Sequence, residues 1–384
     1  MLIYCVHAGG IMGKYNWNID TLVSRLDILN KLIKKETDPE KLDDLQSDLE
    51  YLENLIYVHF NPQEPKTPSM LEAYRDLRFQ LKKIDFLWED FKEFGDIVSS
   101  YIKVPRLKKR SFTKEELFEL THNFYKSLNP FFYHNFMRNF KMRETHTTFY
   151  NAHDIKRYVG ETTVLPSLNE TFIEITRSNT LDDPLTVIHE YGHATSTSIN
   201  PYHLSMQKDI FTEVDTLFFE MLAADFLDKE LGISEKVITH TNLHNEYFYC
   251  ADKTSLQIAF VETENLLPSA FLRNKDLKIF GRTQLNLCDE EIEEIIQESD
   301  TRNYVYLNSY IYAIELYELY KKDPEKALYI LKQVILLRDM TRRQYYEKIR
   351  QLGLIANSSL QDYRLELIEQ APILQRTKRM PFTK

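Results

Sequence analysis

Glycine is scarce in this chain, nine in 384 residues, and proline reaches only 13. So little punctuation argues against an all-β fold, whose many turns consume both residues, and points to long helices. Cysteine is scarcer. Cys5, Cys250 and Cys288 lack metal-ligand spacing and cannot all pair, so a reducing compartment is expected. Basic residues do not dominate either: 48 Lys and Arg against 58 Asp and Glu leave a charge of −10, which disfavours non-specific nucleic-acid binding. No apolar run approaches the roughly 18 residues of a membrane helix. The opening MLIYCVHAGGIM lacks the basic start of a signal peptide. There is no P-loop, no G-x-G-x-x-G and no G-x-S-x-G, so nucleotide-binding and serine-hydrolase readings lack support. The expectation is a cytoplasmic protein with no nucleic-acid or membrane partner.

What is present is helical periodicity in a globular composition, 43% hydrophobic and 28% charged. From Trp17 to Lys35, Ile19, Leu22, Val23, Leu26, Leu29 and Leu32 recur at spacings of three and four. Asp38-Pro39 then supplies an N-cap and a first-turn proline for a second helix reaching about Val58, completing an αα-hairpin. Ser69 to about Ile97 reads as a third, aromatic-rich helix. A basic cluster at Arg106, Lys108, Lys109 and Arg110 marks a boundary, and Thr113 with Glu116 has capping-box spacing just beyond. Residues 1–112 are therefore expected to form an N-terminal helical lobe and 113–384 a second domain. There, Thr171 to Thr176 alternates like a strand, and Asp183-Pro184 is expected to cap and open a helix reaching about Ser198. Further helices are expected over Thr212 to Glu230, Ser234 to Leu266, Glu290 to Glu298, Tyr304 to Lys321, Pro324 to Leu337, Thr341 to Leu352 and Leu360 to Glu369.

The Asp183 helix contains His189-Glu190-Tyr191-Gly192-His193, an H-E-x-x-H pattern. Histidines four apart lie one turn apart on the same face, so two imidazoles can converge on one cation. Glu190, beside the first histidine, can reach a water on that cation and act as general base. Apolar flanks (Leu185, Val187, Ile188, Ala194) indicate a buried helix. Gly192 in a helix interior costs about 1 kcal/mol against Ala, which the close approach of another element or of a ligand would offset. Residue 199 is Ile, so no third histidine follows at metzincin spacing. Glu213, on the next helix, is the candidate third ligand. Glu220 lies two turns further on the same face and could hydrogen-bond a ligand histidine. Asp215 points elsewhere, as a surface residue or a weaker supporting one. His240 and His244 are also four apart, but their polar neighbours suggest an exposed helix face.

The block FIEITRSNTLDDPLTVIHEYGHA, from Phe172 to Ala194, resembles the thimet oligopeptidase and oligoendopeptidase F family of zinc metallopeptidases. Phe211 to Glu220 is similar to that family's second motif. The resemblance implies one Zn²⁺ per chain held by His189, His193 and Glu213, with Glu190 as the base. It also implies oligopeptide substrates cleaved at internal bonds. Tyr304 to Tyr310 looks like the family's tyrosine-rich segment, which implies an oxyanion-stabilising role for Tyr306, with Tyr304 and Tyr310 as alternatives. The implied fold is mainly α and zincin-like, a helical bundle enclosing an active-site cleft, with a small antiparallel sheet beside the H-E-x-x-H helix. The Thr171 to Thr176 strand is expected to bind extended peptide along its edge. The chain departs from the family in its shortness and in having no histidine after His244. The alternative is accordingly a catalytically weak or inactive relative acting as a zinc-stabilised peptide-binding or scaffold protein.

Overall fold

The computed structural model describes residues 5–6, 19–60, 102–103, 110–151, 160–201, 203, 212–232, 278–279, 282, 288–290, 292, 302–337, 342–354 and 375–376. The expected helices at Ser69 to Ile97, Ser234 to Leu266 and Leu360 to Glu369 lie outside them, as do His240 and His244 and most of Glu290 to Glu298. The chain divides into two units. One comprises Met1–Pro65, Lys108–Ala223 and Leu328–Leu352; the other comprises Lys66–Leu107, Ala224–Ala327 and Gly353–Lys384. Among the described residues, no helix is long and apolar enough to cross a membrane.

The first unit begins with strand β1 (Cys5–Val6) and the hairpin α1 (Ile19–Ile33) and α2 (Pro39–Phe60). The expected apolar stripe is real but narrow. Leu22 and Leu29 are buried, whereas Val23 and Leu32 stay exposed. With Leu45 and Leu52 they pack on Leu165 and Phe172 of the sheet. Helix α3 (Lys114–Ser127) starts with the expected capping box: Thr113 Oγ1 accepts from Glu116 N, and Glu116 Oε2 accepts from Thr113 N. It leads through α4 (Pro130–Phe140) and the single turn α5 (Arg143–His146) into strand β3 (Thr147–Asn151). Strands β4 (Gly160–Leu165) and β5 (Glu170–Arg177) follow, then α6 (Asp182–Ile199) and α7 (Val214–Glu230). Helix α9 (Pro324–Leu336), capped by Asp323 as expected, and α10 (Arg342–Gln351) close the described chain of this unit. Asn200 ties α9 to the end of α6 by donating to the Ile335 carbonyl at 2.8 Å.

The mainly helical fold with a small sheet beside α6 agrees with expectation, but the sheet is mixed. Its order is β1-β4-β5-β3; β4 runs antiparallel to β5, and β3 runs parallel to it. Strand β5, covering the expected Thr171 to Thr176, is therefore interior. This overturns the expectation that it binds peptide along its edge, since both its edges are already hydrogen-bonded. The opening of α6 also differs. Leu181 occupies the N-cap, and Asp183 sits inside the first turn, accepting from the backbone N–H groups of Ser178 and Asn179 at 2.6 and 3.1 Å. The carboxylate thus fixes the loop from β5 rather than capping the helix.

The second unit's described parts include α8 (Arg302–Lys322), matching the expected Tyr304 to Lys321 helix. They also include the antiparallel pair β2 (Ile102–Lys103) and β6 (Gln375–Arg376). The Tyr317 hydroxyl of α8 donates to Asp225 at 2.5 Å.

Candidate metal centre

Helix α6 is buried almost all round. Fourteen of its residues between Asp183 and Thr197 are buried, including His189, Glu190 and His193. Aromatic side chains of α3 and α4 hold its outer face. Phe136 and Phe140 lie edge-on to Tyr191 at 5.6 and 5.8 Å, while the Tyr125 hydroxyl donates to the Ile188 carbonyl at 2.9 Å. The helix also meets α7, whose Phe219 packs against the same aromatic cluster. A Cβ at Gly192 would lie 2.9 Å from Thr216 Cγ2 and 3.2 Å from Phe219 Cδ2, so the missing side chain is what lets the two helices approach. This is the close approach that the helix-interior glycine led us to expect.

That approach carries Glu213, just before α7, to the two histidines. Glu213 Oε2 lies 3.3 Å from His189 Nε2 and 3.3 Å from His193 Nε2. Ligand atoms of the three residues fall within 4.8 Å of one another, and all three residues are buried. Ligands about 2.0–2.1 Å from a tetrahedral zinc stand about 3.3–3.4 Å apart, so the observed separations fit such an ion. Nε2 of His193, a residue that is completely buried, lacks a hydrogen-bond partner among the described residues. Buried polar atoms normally have one, and a cation beside Glu213 would supply it. Glu220 Oε1 lies 2.7 Å from His189 Nδ1 and so orients the ring with Nε2 toward Glu213. Thr216 in turn donates to Glu213 Oε2 at 3.1 Å.

The electrostatics point the same way. Three carboxylates, Glu190, Glu213 and Glu220, share this buried space with two imidazoles. Burial alone would lower the pKa of both histidines, yet the carboxylates outweigh it: chiefly Glu220 for His189, which is held well above its ordinary value, and chiefly Glu213 for His193. Burial would raise Glu213, but His193 and His189 hold it well below the usual range. Burial raises the pKa of Glu190, with the imidazoles opposing. The pocket demands positive charge, which a divalent ion would satisfy as protons do.

Of the predicted site residues, the fold thus gathers His189, Glu190, His193, Glu213 and Glu220. Tyr304, Tyr306 and Tyr310 belong to α8 in the second unit, where Tyr310 is buried. Asp215 corrects the expectation of a surface residue. It is 1% exposed, hydrogen-bonded to the Ser196 hydroxyl and 3.2 Å from His203 Nε2, and so ties α6 to α7. Two residues went unpredicted. The Thr162 hydroxyl of β4 donates to Glu190 Oε2 at 2.6 Å, and Gly160 lies directly under the same carboxylate.

No protein-family model and no curated protein matches this sequence. Solved structures do match in fold. PZ peptidase A, solved with an inhibitor, aligns with a TM-score of 0.52 at 11% identity over 91% of this chain and 80% of its own. A chain described as an oligoendopeptidase F aligns with a TM-score of 0.52 at 13% identity over 91% and 67%. A chain described as a peptidase from Chlamydophila abortus aligns with a TM-score of 0.50 at 14% identity over 94% of this chain. The likeness is one of fold. This chain spans 64% of the length of the Chlamydophila abortus chain.

Proposed function

We propose that this chain is a zinc-dependent metalloendopeptidase that hydrolyses internal peptide bonds of short peptides. The observation that carries the reading is the meeting of His189, His193 and Glu213 around one small buried space, with the Glu190 carboxylate beside them. Two imidazole nitrogens and a carboxylate oxygen are the donor set of a catalytic zinc site, which keeps one position for water. The peptidase descriptions of the fold neighbours agree with it.

Zinc held there would supply Lewis acidity and lower the pKa of water toward about 7. Glu190 takes the proton from the attacking water and delivers it to the leaving amine. Glu220 fixes the tautomer and ring orientation of His189. Gly192 and the Asp215 contacts keep α6 and α7 close enough for Glu213 to reach both histidines.

Turnover of a quenched fluorogenic peptide library by zinc-loaded protein tests the reading. Glu190→Gln should lower it by about 10²–10⁴-fold while metal content stays at one per chain. Equal turnover in that variant refutes the assigned role. Stoichiometric zinc without turnover in the unaltered protein would favour a retired relative that uses the ion to stabilise a binding surface.

A further inference from the structure

Strand β4 meets the Glu190 side chain at two alternate residues. A Cβ built on Gly160 would fall 2.1 Å from Glu190 Oε1, 2.7 Å from Cδ and 2.8 Å from Cγ. The carboxylate therefore occupies the space that any other residue at 160 would fill. Two residues on, and on the same face of the strand, the Thr162 hydroxyl donates to Glu190 Oε2 at 2.6 Å, with the Glu190 backbone carbonyl 3.1 Å away as a second acceptor for the same proton. One oxygen thus lies over a missing side chain and the other is tethered by a hydroxyl. Among the described residues, the Glu190 carboxylate has no other hydrogen-bond partner. A glutamate carries three side-chain torsions, so a base left unheld has several rotamers open to it.

We propose that Gly160 and Thr162 are positioning residues, a socket in β4 that fixes the Glu190 carboxylate in the orientation its proton transfers require. The inference rests on the role given to Glu190 above. Gly160 is not needed for backbone reasons, because its φ lies outside the left-handed region. Alanine there is opposed by Glu190 itself, the source of the nearest contacts. Among the described residues, the Thr162 side chain makes no hydrogen bond to His189, His193 or Glu213, so its loss acts through Glu190.

The socket is tested by stability and by kinetics. Gly160→Ala should lower Tm by several degrees in the otherwise unaltered protein and by about none in a Glu190→Ala background. Equal lowering in both backgrounds overturns the socket, and this comparison needs no activity. In zinc-loaded protein, Thr162→Val should lower kcat by about 10- to 100-fold, the loss of a hydrogen bond to a charged group, with KM and metal content unchanged. Thr162→Ser, which keeps the hydroxyl, should recover most of that loss. An undiminished kcat in Thr162→Val, or a fall in kcat that tracks lost metal, overturns the proposal. If the unaltered protein shows no turnover, the peptidase reading fails, while the Tm comparison still decides whether β4 holds Glu190.

Discussion

The two faces of β4 are specified in different ways. Toward α6 it presents Gly160 and Thr162, each matched to one carboxylate oxygen of Glu190. Toward the α1–α2 hairpin it presents Thr163 and Leu165; Thr163 is reached by the Tyr51 hydroxyl at 3.5 Å, and Leu165 is packed among four leucines of the hairpin. The α6 side depends on a particular hydroxyl and on a missing methyl. The hairpin side depends mainly on apolar volume, which many side chains can supply, with Arg25 to Glu170 at 2.6 Å as a polar clasp at its rim. Specific groups matter most around Glu190, and apolar packing carries most of the contact with the hairpin.

This contrast should separate under mutation. The largest effect is expected on the α6 side: Glu213→Ala should reduce zinc from one per chain to a small fraction by elemental analysis, and abolish turnover with it. Full metal occupancy in that variant would remove Glu213 from the site. On the hairpin side, Leu52→Ala empties a fully buried position and should cost about 2–5 kcal/mol in denaturant unfolding. Zinc content and kcat should not change. A kcat loss with metal retained would mean that the two faces are not independent.

The last of these effects is a pH dependence on the hairpin face. Burial pushes the Glu174 carboxyl up to about 7, although the Tyr150 hydroxyl, donating at 3.0 Å, pulls it down. Glu161 stands opposite it on β4. Below the unfolded value of 4.5 both states hold the proton and nothing is lost. Between 4.5 and 7 the unfolded chain ionises first, so stability falls as pH rises. Above 7 the whole difference, about 3 kcal/mol at 1.36 per unit, is gone. Glu174→Gln should match the unaltered protein near pH 4.5 and exceed its unfolding free energy at pH 8. Parallel stability curves for the two proteins would show that Glu174 ionises normally.

Much of this was legible because it is local. Asp38-Pro39, Asp323-Pro324 and the Thr113–Glu116 box each announce a helix start within four residues, and each opens one here. The H-E-x-x-H spacing and Gly192 likewise describe one helix and its need for a close neighbour. Asp183 shows the limit of local reading: the Asp-Pro pair looks like a cap, yet its partners lie in the loop behind it. Asp215 was misplaced because helical periodicity places it off the Glu213–Glu220 face, while Ser196 and His203, which bury it, come from elsewhere. Gly160 and Thr162 precede Glu190 by 30 and 28 residues, with no spacing rule linking a strand residue to a helix residue. The parallel partner β3 was equally invisible, since pairing direction is decided by the path of the chain between strands.

Because neighbouring residues of β4 serve opposite sides, the strand tolerates exchange far better than a change in its length. One codon gained or lost between Gly160 and Leu165 would turn each subsequent residue to the wrong side. A displacement by one would also carry Glu161 toward Glu190, placing like charges together where a hydroxyl now stands. Lineages carrying this arrangement should therefore vary at Leu165 or Thr163 while keeping the count of residues from 160 to 165 constant.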